Sequence, residues 1–184
     1  VEEDQIRTMI AERKVFPCCF GSALKMEGVT EFLKILDRFT KTPEYGGDFG
    51  ARVFKISRDT AGNRLTHLKI TGGVLKVKQM LGEEKADQIR IYSGAGYTMV
   101  QEAPAGTICA VTGLNSTFSG QGIGNETEAE KPVLEPVLTY RIELPPDCDV
   151  HQMLGKLRQL EEEIPELHIV WNERLAEIHA QVMG

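Results

Sequence analysis

The chain has 184 residues, a length that allows one ordinary domain or two to three small ones. Hydrophobic residues make up 41% of it and charged residues 26%, and its formal net charge is −6 at pH 7. This acidic balance argues against general coating of nucleic acid. No apolar run approaches the roughly 20 residues of a membrane-spanning helix, so we expect no membrane partner.

Residues 1–42 are predicted to form a helix, a strand, a loop and a second helix. Apolar spacing places the first helix over Gln5 to Lys14, and the run Val15 to Phe20 fits a buried strand of a parallel sheet. The second helix has an apolar face and should end before Thr42 and Pro43. One strand and two helices cannot build an α/β core alone, so we expect this part to begin inside a larger domain.

Short strands separated by turn residues are predicted between Phe49 and Leu114. Apolar and polar residues alternate there, with Val53, Lys55 and Ser57 on one side of a strand and Phe54 and Ile56 on the other. Glycine, proline and asparagine clusters break the pattern at regular intervals. Strands of this kind favour a closed β-barrel, which leaves no exposed strand edge.

A β-α-β-β order is predicted for the last part of the chain. A strand ends at Leu144, Asp149 caps a helix through Glu163, and further strands cover Leu167 to Trp171 and Arg174 to Met183. This order is the front half of a ferredoxin-like unit, which needs another helix and strand. The three glutamates Glu161–Glu163 are predicted to be a solvated helix end.

Charge is distributed unevenly along the chain. Residues 49–93 hold 9 basic and 4 acidic side chains, a balance of +5, whereas residues 94–184 hold 5 basic and 14 acidic ones, a balance of −9. The basic segment could contact a phosphate backbone locally. The alternative is that its strand lysines only shield solvent faces and sheet edges.

No catalytic or metal-binding motif is found in the sequence. It contains no GxxxxGK[ST], HExxH or GxSxG string. Its four cysteines include no CxxC pair, which favours free thiols in a reducing cytosol and no metal site. We therefore predict no catalytic residues, and a stand-alone β-barrel that binds RNA or protein without catalysis is one interpretation.

A second interpretation comes from an ordered series of segments. They read VFPCCFGSALKMEGVTEFLKIL, GARVFKI, LKITGGVLKV, APAGTICAVTGL and EPVLTYRIELP. In this order they resemble the translational GTPase family, which includes elongation factor G, and most closely its tetracycline ribosomal protection proteins. The resemblance implies a multi-domain, mainly β fold made of three parts. These are the α/β tail of a GTP-binding domain (residues 1–42), the second-domain β-barrel (43–131) and the βαββ half of a ferredoxin-like third domain (132–184).

The resemblance also implies binding sites. The loop Ser22, Ala23 and Leu24 corresponds to the guanine-binding loop of the family, where a backbone N–H donates to the guanine carbonyl oxygen that adenine lacks. The basic segment supplies the candidates for ribosomal RNA contact, which are Arg58, Arg64, Lys76, Lys78 and Lys85.

The resemblance further implies an internal fragment of a cytoplasmic GTPase that acts on the ribosome and couples its GTP state to ribosome binding. The parent would bind GTP or GDP with Mg²⁺ and contact rRNA and proteins of the small subunit. The P-loop, the switch regions and the Asn-Lys-x-Asp motif do not occur between Val1 and Gly184. We therefore expect this fragment to be inactive as a GTPase and to hold no cofactor.

Overall fold

The structure is a computed structural model that describes residues 2–41, 43–127 and 136–182. Within these residues, strands dominate in four separate sheets and three α-helices are present. The prediction of a mainly β fold is confirmed. The chain divides into two compact units, Val1–Glu44 and Tyr45–Gly184. The predicted boundary at residues 131 and 132 lies outside the described residues.

The first unit contains two helices, α1 (Glu3–Ala11) and α2 (Val29–Phe39). Gly28 precedes α2 with a left-handed φ of 72°. Helix α2 ends at Phe39, before Pro43, as the sequence predicts. Arg38 near the end of α2 pairs with Glu3 of α1 at 2.6 Å between Nη2 and Oε2, which ties the two helices together.

The predicted buried strand at Val15–Phe20 is wrong. These residues form no strand, and the side chains of Phe16 and Phe20 are 72% and 95% exposed. The physical reason is that a strand needs a neighbour to accept and donate its backbone hydrogen bonds. The described residues of this unit offer none.

The second unit begins with a region of ten strands, which we call the β-region (residues 45–127). Its strands are β1 (Gly50–Arg58), β2 (Arg64–Gly72), β3 (Val74–Lys76), β4 (Met80–Leu81), β5 (Glu84–Lys85), β6 (Ile89–Ser93), β7 (Gly96–Val100), β8 (Glu102–Pro104), β9 (Ile108–Val111) and β10 (Gly122–Gly124). Six of them form an antiparallel sheet in the order β10-β1-β2-β9-β6-β7. The pairs β3–β8 and β4–β5 form separate small sheets.

One core is shared by these sheets. Val53, Leu68 and Val111 of the large sheet are fully buried in the same cluster as Leu75 of β3 and Ala103 of β8. The predicted barrel is not closed by strand pairing in the described residues, because β10 and β7 remain the two edges of the large sheet. The short strands β3 and β8 instead bury their apolar side chains against this common core.

A β-bulge changes the predicted faces of strand β1. The register with β2 shifts between Val53 and Lys55, so Val53 and Ile56 both enter the core. Phe54, which the simple alternation placed on the side of Ile56, is 47% exposed. An extra residue in one strand moves the following side chains to the opposite face.

The last region, the βαββ region (residues 136–182), has the predicted element order. It contains β11 (Leu138–Ile142), α3 (Val150–Glu163), β12 (Val170–Asn172) and β13 (Glu177–Val182), with sheet order β11-β13-β12. The predicted cap is confirmed, because Asp149 Oδ1 accepts from the Gln152 N–H at 2.8 Å. A 3₁₀ turn occupies Pro165–Leu167, so β12 begins at Val170 and not at the predicted Leu167.

We predict that amide hydrogen exchange is slow in the large sheet and fast in the segment 15–20. Amides of Leu68 and Val111, in the centre of the large sheet, should exchange only on global unfolding. Amides of Phe16 and Phe20 make no described hydrogen bond and should exchange almost as fast as in an unstructured peptide. Exchange read by mass spectrometry or NMR on the intact chain tests this. Equal protection of the segment 15–20 and the large sheet would contradict the structure.

Candidate functional site

The loop Ser22–Ala23–Leu24 is a tight turn closed by backbone hydrogen bonds. Ser22 and Glu27 exchange bonds of 3.0 and 3.1 Å between their backbone N–H and C=O groups. The Ser22 N–H is therefore already used. Within the described part of the chain, the N–H groups of Ala23 and Leu24 have no protein acceptor, and the Leu24 side chain is 97% exposed. Of the three predicted guanine-binding residues, Ala23 and Leu24 thus keep a free backbone donor.

Two glycines allow this turn to close. A Cβ atom on Gly21 would lie 2.6 Å from the Glu27 carbonyl oxygen, and one on Gly28 would lie 2.6 Å from that of Phe20. Any larger residue would push the two sides of the turn apart. This turn borders a cavity of about 240 Å³, and Pro17, Val29 and Phe32 also line the cavity. The lining of this cavity is largely apolar and includes Ala23, whose N–H has no protein acceptor among the described residues.

The three predicted lysines form one group, which we call the lysine group (Lys76, Lys78 and Lys85). Lys85 belongs to the β4–β5 hairpin, and the Lys78 N–H donates to the Ala86 carbonyl at 2.7 Å. Lys78 Nζ binds Asp87 Oδ1 at 2.7 Å, and this contact lowers the pKa of that carboxyl. Among the described residues, Lys76 and Lys85 form no ion pair; Lys76 lies across from Glu102 of β8, and the charge of Lys85 also helps to lower the pKa of Asp87. They are exposed cations available to an anionic partner.

The two predicted arginines lie elsewhere and face helix α3. Arg58 and Arg64 are cross-strand neighbours next to the β1–β2 turn. Both bind Glu162 Oε2, at 2.9 and 3.0 Å. Arg58 also lies 3.6 Å from Glu163 Oε1. Burial acts to raise the pKa of Glu162, but hydrogen bonds from both arginines outweigh it and hold that pKa below its usual value. We call these residues the arginine cluster (Arg58, Arg64, Glu162 and Glu163).

Arg64 has the most contacts in the arginine cluster. Its side chain is only 11% exposed. Its Nη1 donates to the Leu114 carbonyl at 2.7 Å, to Thr117 Oγ1 at 2.9 Å and to Thr66 Oγ1 at 3.2 Å. A guanidinium with this many protein acceptors has little remaining capacity for phosphate. The structure therefore separates the five predicted basic residues into two engaged arginines and a largely open lysine group.

The role of Glu162 is not predictable from the local sequence. The glutamate run Glu161–Glu163 is predicted to be only a solvated helix end, yet two of its members bind the β-region and Glu161 Oε1 accepts from the Ile169 N–H at 2.8 Å. Arg64 and Glu162 are 98 positions apart in the sequence. No local pattern signals such a contact.

The described residues show neither a metal centre nor a membrane-spanning helix. No group of three or more His, Cys, Asp or Glu side chains in the ranges given above is placed to hold a metal ion. None of the described helices has the length and apolar character needed to cross a membrane.

The chain is similar in sequence to elongation factors. The chain is 27% identical over 213 residues to elongation factor G 2 of Syntrophus aciditrophicus, which covers 97% of the chain and 31% of that protein. It is 34% identical over 110 residues to elongation factor 2 of Halobacterium salinarum, covering 58% of the chain and 15% of the relative. No model of a protein family matches the chain.

A solved structure shows the same fold. A crystal structure of a protein from Thermus thermophilus superposes with a TM-score of 0.80 over 99% of the chain, at 21% identity, and the match covers 30% of that protein. The chain thus spans about a third or less of each of these three proteins. The sequence relatives support the resemblance to translational GTPases, and the solved structure supports the fold.

We predict that Arg64 contributes more to stability than Arg58. Arg64→Met leaves the carbonyl of Leu114 without its donor and the hydroxyls of Thr66 and Thr117 bonded only to each other, and should lower the free energy of unfolding by about 1–3 kcal/mol. Arg58→Met, at a more exposed position of the same cluster, should cost less than about 1 kcal/mol. Urea unfolding of both variants measures the difference. Equal costs would show that the buried hydrogen bonds of Arg64 add nothing.

Proposed function

We propose that this chain is an internal part of a translation factor that acts on the ribosome, similar to elongation factor G. The observation that supports this best is the match to an elongation factor over 97% of the chain. A stand-alone binding module is not favoured, because similarity would then be expected over the β-region alone. The corresponding location would be cytoplasmic.

The parts of the chain have separate roles in this proposal. In the full-length protein, the free N–H groups of Ala23 and Leu24 would donate to the guanine base of GTP or GDP. The phosphates and Mg²⁺ would be held by residues outside this chain, because no P-loop motif occurs in it. The chain itself would hold the base, connect the domains and contact the ribosome.

The lysine group is the proposed contact to ribosomal RNA. Lys76 and Lys85 are exposed and form no ion pair among the described residues, and Lys78 is bound by a single exposed aspartate, Asp87. Point charges on flexible side chains suit the phosphate backbone, where they release counterions on binding. Arg58 and Arg64 are proposed to act in the connection to helix α3 instead of on RNA.

The finer assignment as a tetracycline ribosomal protection protein rests on the sequence resemblance. A protection protein would free the ribosome from the drug, whereas an elongation factor would move it along the message. Growth of a sensitive strain carrying the full-length gene, with and without tetracycline, separates the two. Drug-dependent rescue supports protection, and unchanged sensitivity together with ribosome binding supports elongation.

We predict that reversing charge in the lysine group weakens ribosome binding by the full-length protein. The double variant Lys76→Glu/Lys85→Glu should bind more weakly and lower the slope of log K against log salt by about 2, one for each lost phosphate contact. Co-sedimentation with ribosomes over a series of KCl concentrations measures this slope.

The matched control carries the same change of net charge at exposed sites of the βαββ region. Lys156→Glu/Arg174→Glu should leave the slope within error of the unaltered protein. Equal slopes for the two double variants would show that the lysine group does not touch RNA. Absence of ribosome binding by the unaltered protein would overturn the proposed function itself.

A further inference from the structure

Four aromatic side chains form a continuous row across the outer face of the large sheet. We call it the aromatic row (Phe54, His67, Tyr92 and Tyr97). Successive ring centroids are 6.0, 6.3 and 5.3 Å apart. The rings come from β1, β2, β6 and β7, so the row runs across the strands and not along one of them.

The strand register explains how rings on distant strands meet. His67 of β2 is directly paired with Ala110 of β9, and Ala110 is directly paired with Arg90 of β6. Alanine leaves no bulk between its neighbours, and it is only 1% exposed. The small residue therefore lets His67 and Tyr92 come into contact over β9.

The aromatic row is open to solvent. Phe54 is 47% exposed, Tyr92 38% and Tyr97 46%. Met99 on β7 and Ile108 on β9 extend the same outer face and are more exposed still. Such a concentration of exposed rings and apolar side chains on one face marks an interaction site.

The charged side chains that the strands themselves place on this face are basic. Lys55 follows Phe54 on β1, and Lys69 lies on the outer side of β2, where its Nζ donates to the Gly106 carbonyl at 2.8 Å. Arg90 lies over the Tyr97 ring, with its Cζ 4.5 Å from the ring centroid. The carboxylate in contact with this group is Asp59, which pairs with Arg90 at 3.0 Å. Lys55 and Lys69 keep their charge free of a described carboxylate.

His67 behaves as an uncharged ring in this row. Burial and the neighbouring charge of Lys55 lower its pKa below the usual value, and its Nε2 lies 2.8 Å from Ser57 Oγ. At neutral pH it therefore presents a flat, neutral surface between Phe54 and Tyr92.

We propose that the aromatic row is a stacking platform for unpaired bases of single-stranded RNA, with Lys55 and Lys69 placed for its phosphates. Bases stack on aromatic rings whatever their identity, and neighbouring cations track the backbone. Strands β1, β2, β6, β7 and β9 contain no acidic residue, which fits a polyanion. This inference deepens the proposed function and rests on it for the source of the RNA, which would be unpaired nucleotides of the ribosome.

Binding of a short unstructured RNA tests the platform directly. The probe is a fluorescein-labelled dodecamer of uridylate, titrated with the 184-residue chain at low salt and followed by fluorescence anisotropy. Tyr92→Leu/Tyr97→Leu should weaken binding about tenfold or more, because each lost ring removes a stacking partner. Tyr92→Phe/Tyr97→Phe keeps the rings and should bind within about twofold of the unaltered chain.

The control removes a tyrosine of another sheet that is at least as exposed as Tyr92 and Tyr97. Tyr140 of β11 is 57% exposed, and Tyr140→Leu should leave dodecamer binding unchanged. Thermal unfolding of each variant checks that the fold is retained. A second readout is independent of any substitution: ring-proton NMR signals of Tyr92 and Tyr97 should shift when the RNA is added.

Several results would overturn the platform. They are no binding of the dodecamer, equal loss with Tyr140→Leu, and equal competition by inorganic polyphosphate, which carries charge without bases. A change of self-association in Tyr92→Leu/Tyr97→Leu would show that the row is a protein interface instead. Full ribosome binding by the leucine variant of the full-length protein would contradict the stacking platform but not the proposed function. RNA binding through the aromatic row without ribosome binding would contradict the proposed function but not the platform.

Discussion

The second unit depends on the contacts that the guanidinium of Arg64 makes. A charge that is nearly withdrawn from water needs protein partners to replace its hydration. Arg64 finds them in two places, in the loop at Leu114 and Thr117 of the β-region and in Glu162 of helix α3. One side chain therefore fixes a loop and a helix at once, and losing either set of acceptors would leave the buried charge poorly satisfied.

The same loop connects this contact to the lysine group. Glu84, in the β4–β5 hairpin next to Lys85, accepts from the N–H of Asn115 at 2.8 Å and from the N–H and hydroxyl of Ser116 at 3.0 and 2.7 Å. Helix α3, Arg64, the loop and the hairpin thus form an unbroken series of contacts. This series of contacts connects α3 to the hairpin that carries Lys85 of the proposed RNA contact.

The sequence predicts the strands of the β-region well because alternation records burial on one face. It fails at Val53–Lys55, where a bulge changes the faces, and at Val15–Phe20, where an apolar run without a neighbouring strand stays irregular. Both failures come from pairing, which depends on residues far away along the chain.

The candidate sites follow the same rule. The loop at Ser22–Leu24 and the lysine group could be named from the sequence because the residues of each are close along the chain, and their binding roles stay predictions. Net charge could not separate Arg64 from Lys76, since the partner of Arg64 lies 98 positions away. The aromatic row could not be predicted from the sequence either, because its four rings meet only through the register of β2, β9 and β6.

The central structural claim is that the arginine cluster makes the β-region and the βαββ region one cooperative unit. Trp171, the sole tryptophan, lies on β12 and reports unfolding of the βαββ region, while the amide NMR signal of Leu68 reports the β-region. In urea, the two signals should give the same midpoint in the unaltered chain and separate midpoints in Arg58→Met/Arg64→Met, which removes both arginines of the cluster. Separate midpoints in the unaltered chain would contradict the account.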